Sequence, residues 1–164
     1  AQVLEKLRTE IKKSLKQTGK DNEQKDGMDI ALCIYSPEKS EIQYAGANNP
    51  LYIIQNNPEN NENQLIHVKA DRQPIGIYIR ERQFTNHIFK VKKNDKLYMF
   101  SDGYVDQFGG KDRSKFKSKS FKQLLLSLKD KTLTEEYNIL LQNFNDWKGD
   151  IEQVDDVLVV GVKI

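Results

Sequence analysis

One cysteine, Cys33, is all that the 164 residues contain. An internal disulfide is therefore excluded, and the fold is expected to need no oxidising compartment, which makes a cytoplasmic location the default expectation. Cys33 lies in the run Ile30-Ala31-Leu32-Cys33-Ile34-Tyr35. Burial there raises a thiol pKa, so an inert core cysteine is expected rather than a nucleophile. Apolar runs of membrane-spanning length are lacking, and no membrane contact is expected of this segment. The first residues carry Lys and Glu on a helical pattern with no secretory h-region, so no signal peptide is expected. Net charge is only +2. The basic excess usual in a nucleic-acid binder is thus missing, and no nucleic-acid partner is expected. The two histidines, His67 and His87, stand far apart without an acidic or thiol neighbour at ligand spacing. Surface or strand-pairing roles are expected of both. Internal repeats are absent too.

What is there suits one soluble domain with a sizeable core: 37% hydrophobic and 30% charged residues. Leu4, Leu7, Ile11 and Leu15 recur at helical spacing and predict an amphipathic helix over 3–16, with Gly19 as its stop. A polar linker over 18–26 follows. The near-continuous apolar run over 28–35 predicts a strand covered on both faces. A turn over 36–40, short strands over 42–45 and 51–55, an Asn-rich loop over 56–63, and strands over 65–68, 84–91 and 96–100 complete the first part. Two helices are predicted over about 120–129 and 133–147, with Ser120/Gln123 and Thr132/Glu135 at capping-box spacing and Gly149 at the end. The run over 157–162 predicts a last strand buried on both faces. Consecutive strands joined by short turns favour antiparallel pairing. Strands apolar on both faces call for two stacked sheets flanked by helices, an α+β arrangement.

Two segments carry chemistry. In Tyr98-Met99-Phe100-Ser101-Asp102-Gly103 an apolar strand fixes a carboxylate at its end, and Gly103 lets the backbone turn away or come close to a neighbour. In Gln153-Val154-Asp155-Asp156-Val157 paired carboxylates open the last strand. Adjacent Asp side chains repel unless solvated or bound to cations. All-oxygen carboxylate sets suit Mg²⁺ or Mn²⁺. Each segment alone is weak, since Asp-Gly is a common turn and Asp-Asp a common solvated loop end.

Taken in order, Lys25-Asp26-Gly27-Met28-Asp29, Tyr44-Ala45-Gly46-Ala47-Asn48-Asn49-Pro50, Gln73-Pro74-Ile75-Gly76, Phe100-Ser101-Asp102-Gly103 and Gln153-Val154-Asp155-Asp156 resemble the stage II sporulation E type protein serine/threonine phosphatases, a branch of the protein phosphatase 2C superfamily. The resemblance spans nearly the whole chain. It implies an α-β-β-α sandwich of mainly antiparallel sheets with metals in a cleft at one end. It implies Asp102 and Asp155 as metal ligands, Asp156 as the less favoured member of its pair, and two Mn²⁺ or Mg²⁺ ions in the complete domain. The implied activity is hydrolysis of phosphoserine or phosphothreonine in a bacterial regulatory protein such as an anti-sigma-factor antagonist. The stretch Tyr104 to Gly110 and Trp147-Lys148-Gly149 are similar to a subgroup in which sensory domains, some of them membrane-tethered, stand upstream.

Two departures stand out. The early Asp-x-x-Gly-His-Gly motif of the family is absent from the chain, so 1–164 reads as a single domain fragment, incomplete on its N-terminal side and expected to be inactive alone. Asn48 stands where the family commonly has His. Asp26 and Asp29 read more simply as a polar turn at a strand entry, with a metal or site-supporting role as the alternative. Lys111, Arg113, Lys115, Lys117 and Lys119 read as a solvated loop, or as a docking element in which Lys111, Arg113 and Lys115 hold a substrate phosphate. Phe116, odd in a solvated loop, is expected to pack back on the fold. A different class of function is a non-catalytic pseudophosphatase module that binds a signalling partner through the basic loop. Uncovered apolar surface would also permit self-association.

Overall fold

A computed structural model describes residues 1–19, 26–56 and 63–164. The expected linker over 18–26 and Asn-rich loop over 56–63 lie largely outside the described residues. In chain order the elements are α1 Gln2–Ser14, β1 Gly27–Met28, β2 Ile30–Ser36, β3 Glu41–Ala47, β4 Leu51–Asn56, β5 Asn63–Val68, β6 Ile75–Gly76, β7 His87–Lys90, β8 Lys96–Phe100, α2 Gly103–Asp106, β9 Phe108–Gly109, β10 Ser114–Lys115, α3 Lys117–Ser127, α4 Leu133–Lys148 and β11 Val159–Lys163. They form two compact units, residues 1–51 with 67–91 and residues 52–66 with 92–164. Among the described residues no helix is long and apolar enough to cross a membrane.

In the first unit α1 buries Leu4 with Leu7 and Ile11 against Ala45, Ala47, Ile75 and Phe84. Arg8 shares this buried face because its guanidinium lies 4.7 Å from the Phe84 ring centroid and pairs with Glu5. The helix ends at Ser14, short of the expected stop at Gly19. Leu15 is largely exposed and Lys16 turns left-handed at φ 53°, so the apolar face holds only to Ile11. The sheet runs β2-β3-β7, antiparallel throughout, with Ile30 opposite Ala47 and Ile42 opposite Phe89. The central β3 is the buried strand. β2, expected to be covered on both faces, is instead an edge strand with Ile34 48% exposed. Its apolar composition shows what it can bury, and its edge position limits what covers it. The strand expected over 84–91 is confined to β7. Upstream, the Phe84 N–H donates to the Glu5 carboxylate at 2.6 Å and the Thr85 N–H to Asp71 at 2.7 Å, so side chains satisfy these groups instead of a strand partner.

Cys33 is half-buried, and desolvation pushes its thiol up to about 11. The raised pKa agrees with the thiol expected from the sequence, while the core position expected for it is reduced to half-burial on an edge strand. His87 stacks on Phe89 within β7 and His67 is exposed in β5, both in strands as expected.

The second unit has a four-stranded sheet in the order β11-β8-β4-β5, with β11 antiparallel to β8 from Val159 opposite Phe100 to Lys163 opposite Lys96. Its core is aromatic: Tyr52, Tyr98, Phe100, Tyr104, Phe116, Phe121 and Phe144 are all buried with Leu125, Leu128 and Leu140. The Thr132/Glu135 capping box forms at the start of α4, with the Thr132 N–H donating to Glu135 at 2.8 Å. These hydrogen bonds hold the Glu135 carboxyl below its usual range. The box expected at Ser120 does not form, because α3 begins three residues earlier. Phe116 explains this: it is buried edge-on against Tyr104 and Trp147, and so anchors the entry to the helix. β11, expected to be buried on both faces, is an edge strand; Val160 and Val162 are more than a third exposed and the preceding Leu158 is 60% exposed. Under the sheet Lys96 and Glu136 form a fully buried ion pair. Lys96 Nζ also donates to the carbonyls of Leu128, Lys129 and Lys131 at 3.2, 3.0 and 2.8 Å, and the Tyr98 hydroxyl donates to Glu136 at 2.8 Å. Burial, then the bond to this carboxylate, pushes the Tyr98 phenol far up.

Candidate functional site

β8 delivers Ser101, Asp102 and Gly103 to the end of the sheet. Asp102 opens the one-turn helix α2, its carbonyl accepting from the Asp106 N–H at 2.9 Å. Tyr104 pins that turn: its ring lies 4.8 Å from Phe121 and 5.2 Å from Phe144, and its hydroxyl donates to the Leu140 carbonyl at 2.9 Å. Asp102 itself stays exposed above a rigid base.

The segment leading into β11 brings the backbone next to Asp155 beside Ser101. The Ser101 N–H donates to the Leu158 carbonyl at 3.0 Å. The Ser101 hydroxyl donates to the Asp156 carbonyl at 2.7 Å and accepts from the Leu158 N–H at 2.9 Å. Gly103 packs so closely that an added Cβ would lie 2.9 Å from the Asp156 carbonyl carbon, with the oxygen closer still. The close approach this glycine permits is therefore to the Asp156 backbone. Asp102 and Asp155 are carried on adjoining turns, both exposed. The Asp155 carboxylate accepts from the Asp156 N–H at 2.7 Å, and its carbonyl accepts from the Gln153 side chain at 2.8 Å.

The remaining candidates divide. Asp26 and Asp29 belong to the other compact unit. There the Asn48 side chain donates to Asp29 at 2.8 Å, and the Asp26 carbonyl accepts from Gln17 at 2.6 Å. Asn48 is left-handed at φ 57° with its N–H bonded to the Asp71 carbonyl, so this residue shapes the loop and holds the Asp29 side chain. Of the basic residues, Lys111 and Arg113 are exposed near the β9–β10 hairpin, whereas Lys115 is paired with Asp106 of α2 at 2.7 Å. Lys117 and Lys119 stand on α3 and not in a loop.

Sequence reading missed Gln107, the contact of Trp147 with the 107–110 stretch, and the tie made by Ser101. The Trp147 carbonyl accepts from the Gly110 N–H at 2.9 Å and its indole N–H donates to the Gln107 carbonyl at 3.1 Å. The two stretches quoted for the subgroup resemblance, 104–110 and 147–149, therefore touch. Its place between Val105 and Phe108, next to the polar Asp106, gave little signal for Gln107.

Among the described residues no group of three or more His, Cys, Asp or Glu side chains is arranged to hold a metal ion. Asp102 and Asp155 still fit a hard divalent cation in donor type, being carboxylates open to solvent on adjoining turns, where Mg²⁺ or Mn²⁺ keeps several waters.

Solved structures place this architecture in a class. The SiaA-PP2C domain of Pseudomonas aeruginosa superposes at a TM-score of 0.84 with 20% identity, over 99% of this chain and 59% of that one. The phosphatase domain of SpoIIE from Bacillus subtilis, in an Mn-presoaked form, superposes at 0.62 with 20% identity, over 99% of this chain and 72% of that one. RsbX in complex with magnesium superposes at 0.53 with 12% identity, over 82% of this chain and 55% of that one. The chain has the mixed helix and antiparallel-sheet fold of PP2C phosphatase domains, as expected from the sequence, and spans 59% of the SiaA-PP2C chain. No curated protein sequence matches it. The family model of stage II sporulation protein E (SpoIIE) matches residues 1–164, and the chain belongs to that family.

Proposed function

We propose that this chain carries part of the metal centre of a protein serine/threonine phosphatase, with Asp102 and Asp155 as ligands to Mn²⁺ or Mg²⁺. The observation that supports this best is the Ser101 hydroxyl bonded to Asp156 at 2.7 Å and to Leu158 at 2.9 Å, which sets the two Asp-bearing turns side by side. The fold of PP2C domains, and the manganese and magnesium named for two of the similar structures, point the same way. When bound, a divalent ion there would supply positive charge that offsets a phosphoryl group and Lewis acidity toward water. Asp102 and Asp155 would hold that charge from the two adjoining turns. Gly103 lets the turns approach. The substrate proposed is phosphoserine or phosphothreonine in a signalling protein, an anti-sigma-factor antagonist being the one that the family resemblance suggests. Two carboxylates are few for a pair of ions, so residues 1–164 alone are expected to hydrolyse phosphopeptides poorly.

The test is Asp102→Asn in the native protein that contains residues 1–164. Removing a metal ligand should lower Mn²⁺-dependent phosphate release from a phosphoserine peptide by more than about 100-fold, since even residues behind the ligands are worth 10–100-fold. Unchanged Mn²⁺-dependent turnover in that variant would remove Asp102 from the metal centre. Absence of turnover in the unmutated protein, with a phosphoprotein still bound, would favour a binding module over an enzyme.

A further inference from the structure

The segment bearing Asp155 has little to hold it by burial. Residues 152–156 are all exposed, Val154 by 54%. Hydrogen bonds must therefore fix its position, and two uncharged side chains from the Asp102 stretch tie it to the rest of the unit. One is Ser101, bonded to Asp156 and Leu158. The other is Gln107, a glutamine with no exposed surface. Its amide Nε2 donates to the Glu152 carbonyl at 2.9 Å and to the Phe108 carbonyl at 3.1 Å, and its Oε1 accepts from the Val154 N–H at 3.3 Å. Gln107 is itself held at the main chain, its carbonyl accepting from the Phe116 N–H at 3.0 Å and the Trp147 indole N–H at 3.1 Å.

We propose that Gln107 is a positioning residue: its buried amide, bridging Glu152 and Val154, sets where the Asp155 carboxylate stands relative to Asp102. This rests on the reading of Asp102 and Asp155 as metal ligands. A neutral amide suits the task because it offers a donor and an acceptor at once. Leucine at 107 would fill much of the same space and make neither bond. Glutamate would keep the acceptor for Val154 and lose the donor to Glu152. A buried polar group that holds the backbone just ahead of a ligand resembles the supporting residues behind metal ligands elsewhere, whose loss weakens metal binding about 10–100-fold.

The experiment compares Gln107→Leu, Gln107→Glu and Asp155→Ala with the unmutated native protein. Mn²⁺ affinity is read from free Mn²⁺ by electron paramagnetic resonance, below the unfolding transition of each variant. Amide hydrogen exchange is read without metal. Both Gln107 variants should bind Mn²⁺ about 10–100-fold more weakly. The Val154 amide should exchange about tenfold faster in Gln107→Leu. A role confined to stability would lower the unfolding midpoint and leave the Mn²⁺ affinity of the folded protein unchanged. Weak Mn²⁺ binding in Asp155→Ala with affinity within twofold of the unmutated protein in both Gln107 variants overturns the proposal and leaves the metal centre standing. Unchanged affinity in Asp155→Ala overturns the metal reading instead, and Val154 exchange then decides the positioning role: unchanged protection in Gln107→Leu ends it. Should Gln107→Leu not fold, Gln107→Met, which likewise lacks the amide donor and acceptor, carries both measurements.

Discussion

Lys96→Ala should destabilise the protein by about 3–5 kcal/mol, the cost of leaving one member of a buried ion pair without its partner. Lys96 is 3% exposed and Glu136 2%. Removing the ammonium strands the Glu136 carboxylate, which keeps the Tyr98 hydroxyl at 2.8 Å as a donor among the described residues. It also takes the donor away from three carbonyls, at Leu128, Lys129 and Lys131, that close the end of α3 and the turn into α4. Each such acceptor left in an apolar place costs on the order of 1–3 kcal/mol unless water reaches it. Urea unfolding followed by circular dichroism measures the loss. The double variant Lys96→Met with Glu136→Leu should be more stable than Lys96→Ala, because no bare charge remains. A loss below about 1 kcal/mol in Lys96→Ala would show that this pair is not desolvated.

Gly109→Ala is the second change with a large expected effect. An added Cβ would lie 2.6 Å from the Trp147 carbonyl carbon and 2.6 Å from the indole Cδ1, and closer to the carbonyl oxygen. The obstacle is backbone, so no rotamer change relieves it. Either the β9–β10 hairpin or the last turn of α4 must move. Overpacking of this kind costs about 1–3 kcal/mol and more where the backbone resists. The movement should also break the bonds that Trp147 makes to Gly110 and Gln107. Since Trp147 is the one tryptophan, intrinsic fluorescence reports the change directly, and emission should shift to the red as the indole meets water. Unmoved emission and an unmoved unfolding midpoint would mean that the hairpin accommodates the methyl group.

Local chemistry was the part of this fold most legible in the sequence. The Thr132/Glu135 capping box involves residues three apart, and it forms as spaced. Phe116 among lysines signalled its own burial. The apolar runs that became β2 and β11 signalled strands correctly but not their cover, because cover depends on which neighbours arrive and both strands lie at sheet edges. Lys96 and Glu136 are forty residues apart, and nothing at either position marks it as buried and paired. For the site, the carboxylates Asp102 and Asp155 were legible as candidates, while their pairing as ligands rested on the family resemblance alone. The hydrogen bonds that bring the turns together, from Ser101 and Gln107, involve side chains of unremarkable type whose importance lies in long-range geometry.

The suppressed thiol of Cys33 has a practical side. With its pKa near 11, only about one part in ten thousand is thiolate at neutral pH, against a few per cent for an ordinary exposed cysteine. A cysteine introduced on the surface would therefore react with a maleimide dye faster than the native one. Spectroscopic labels can be attached at a chosen position, on the hairpin or beside the carboxylate turns, without first removing the residue nature placed in β2.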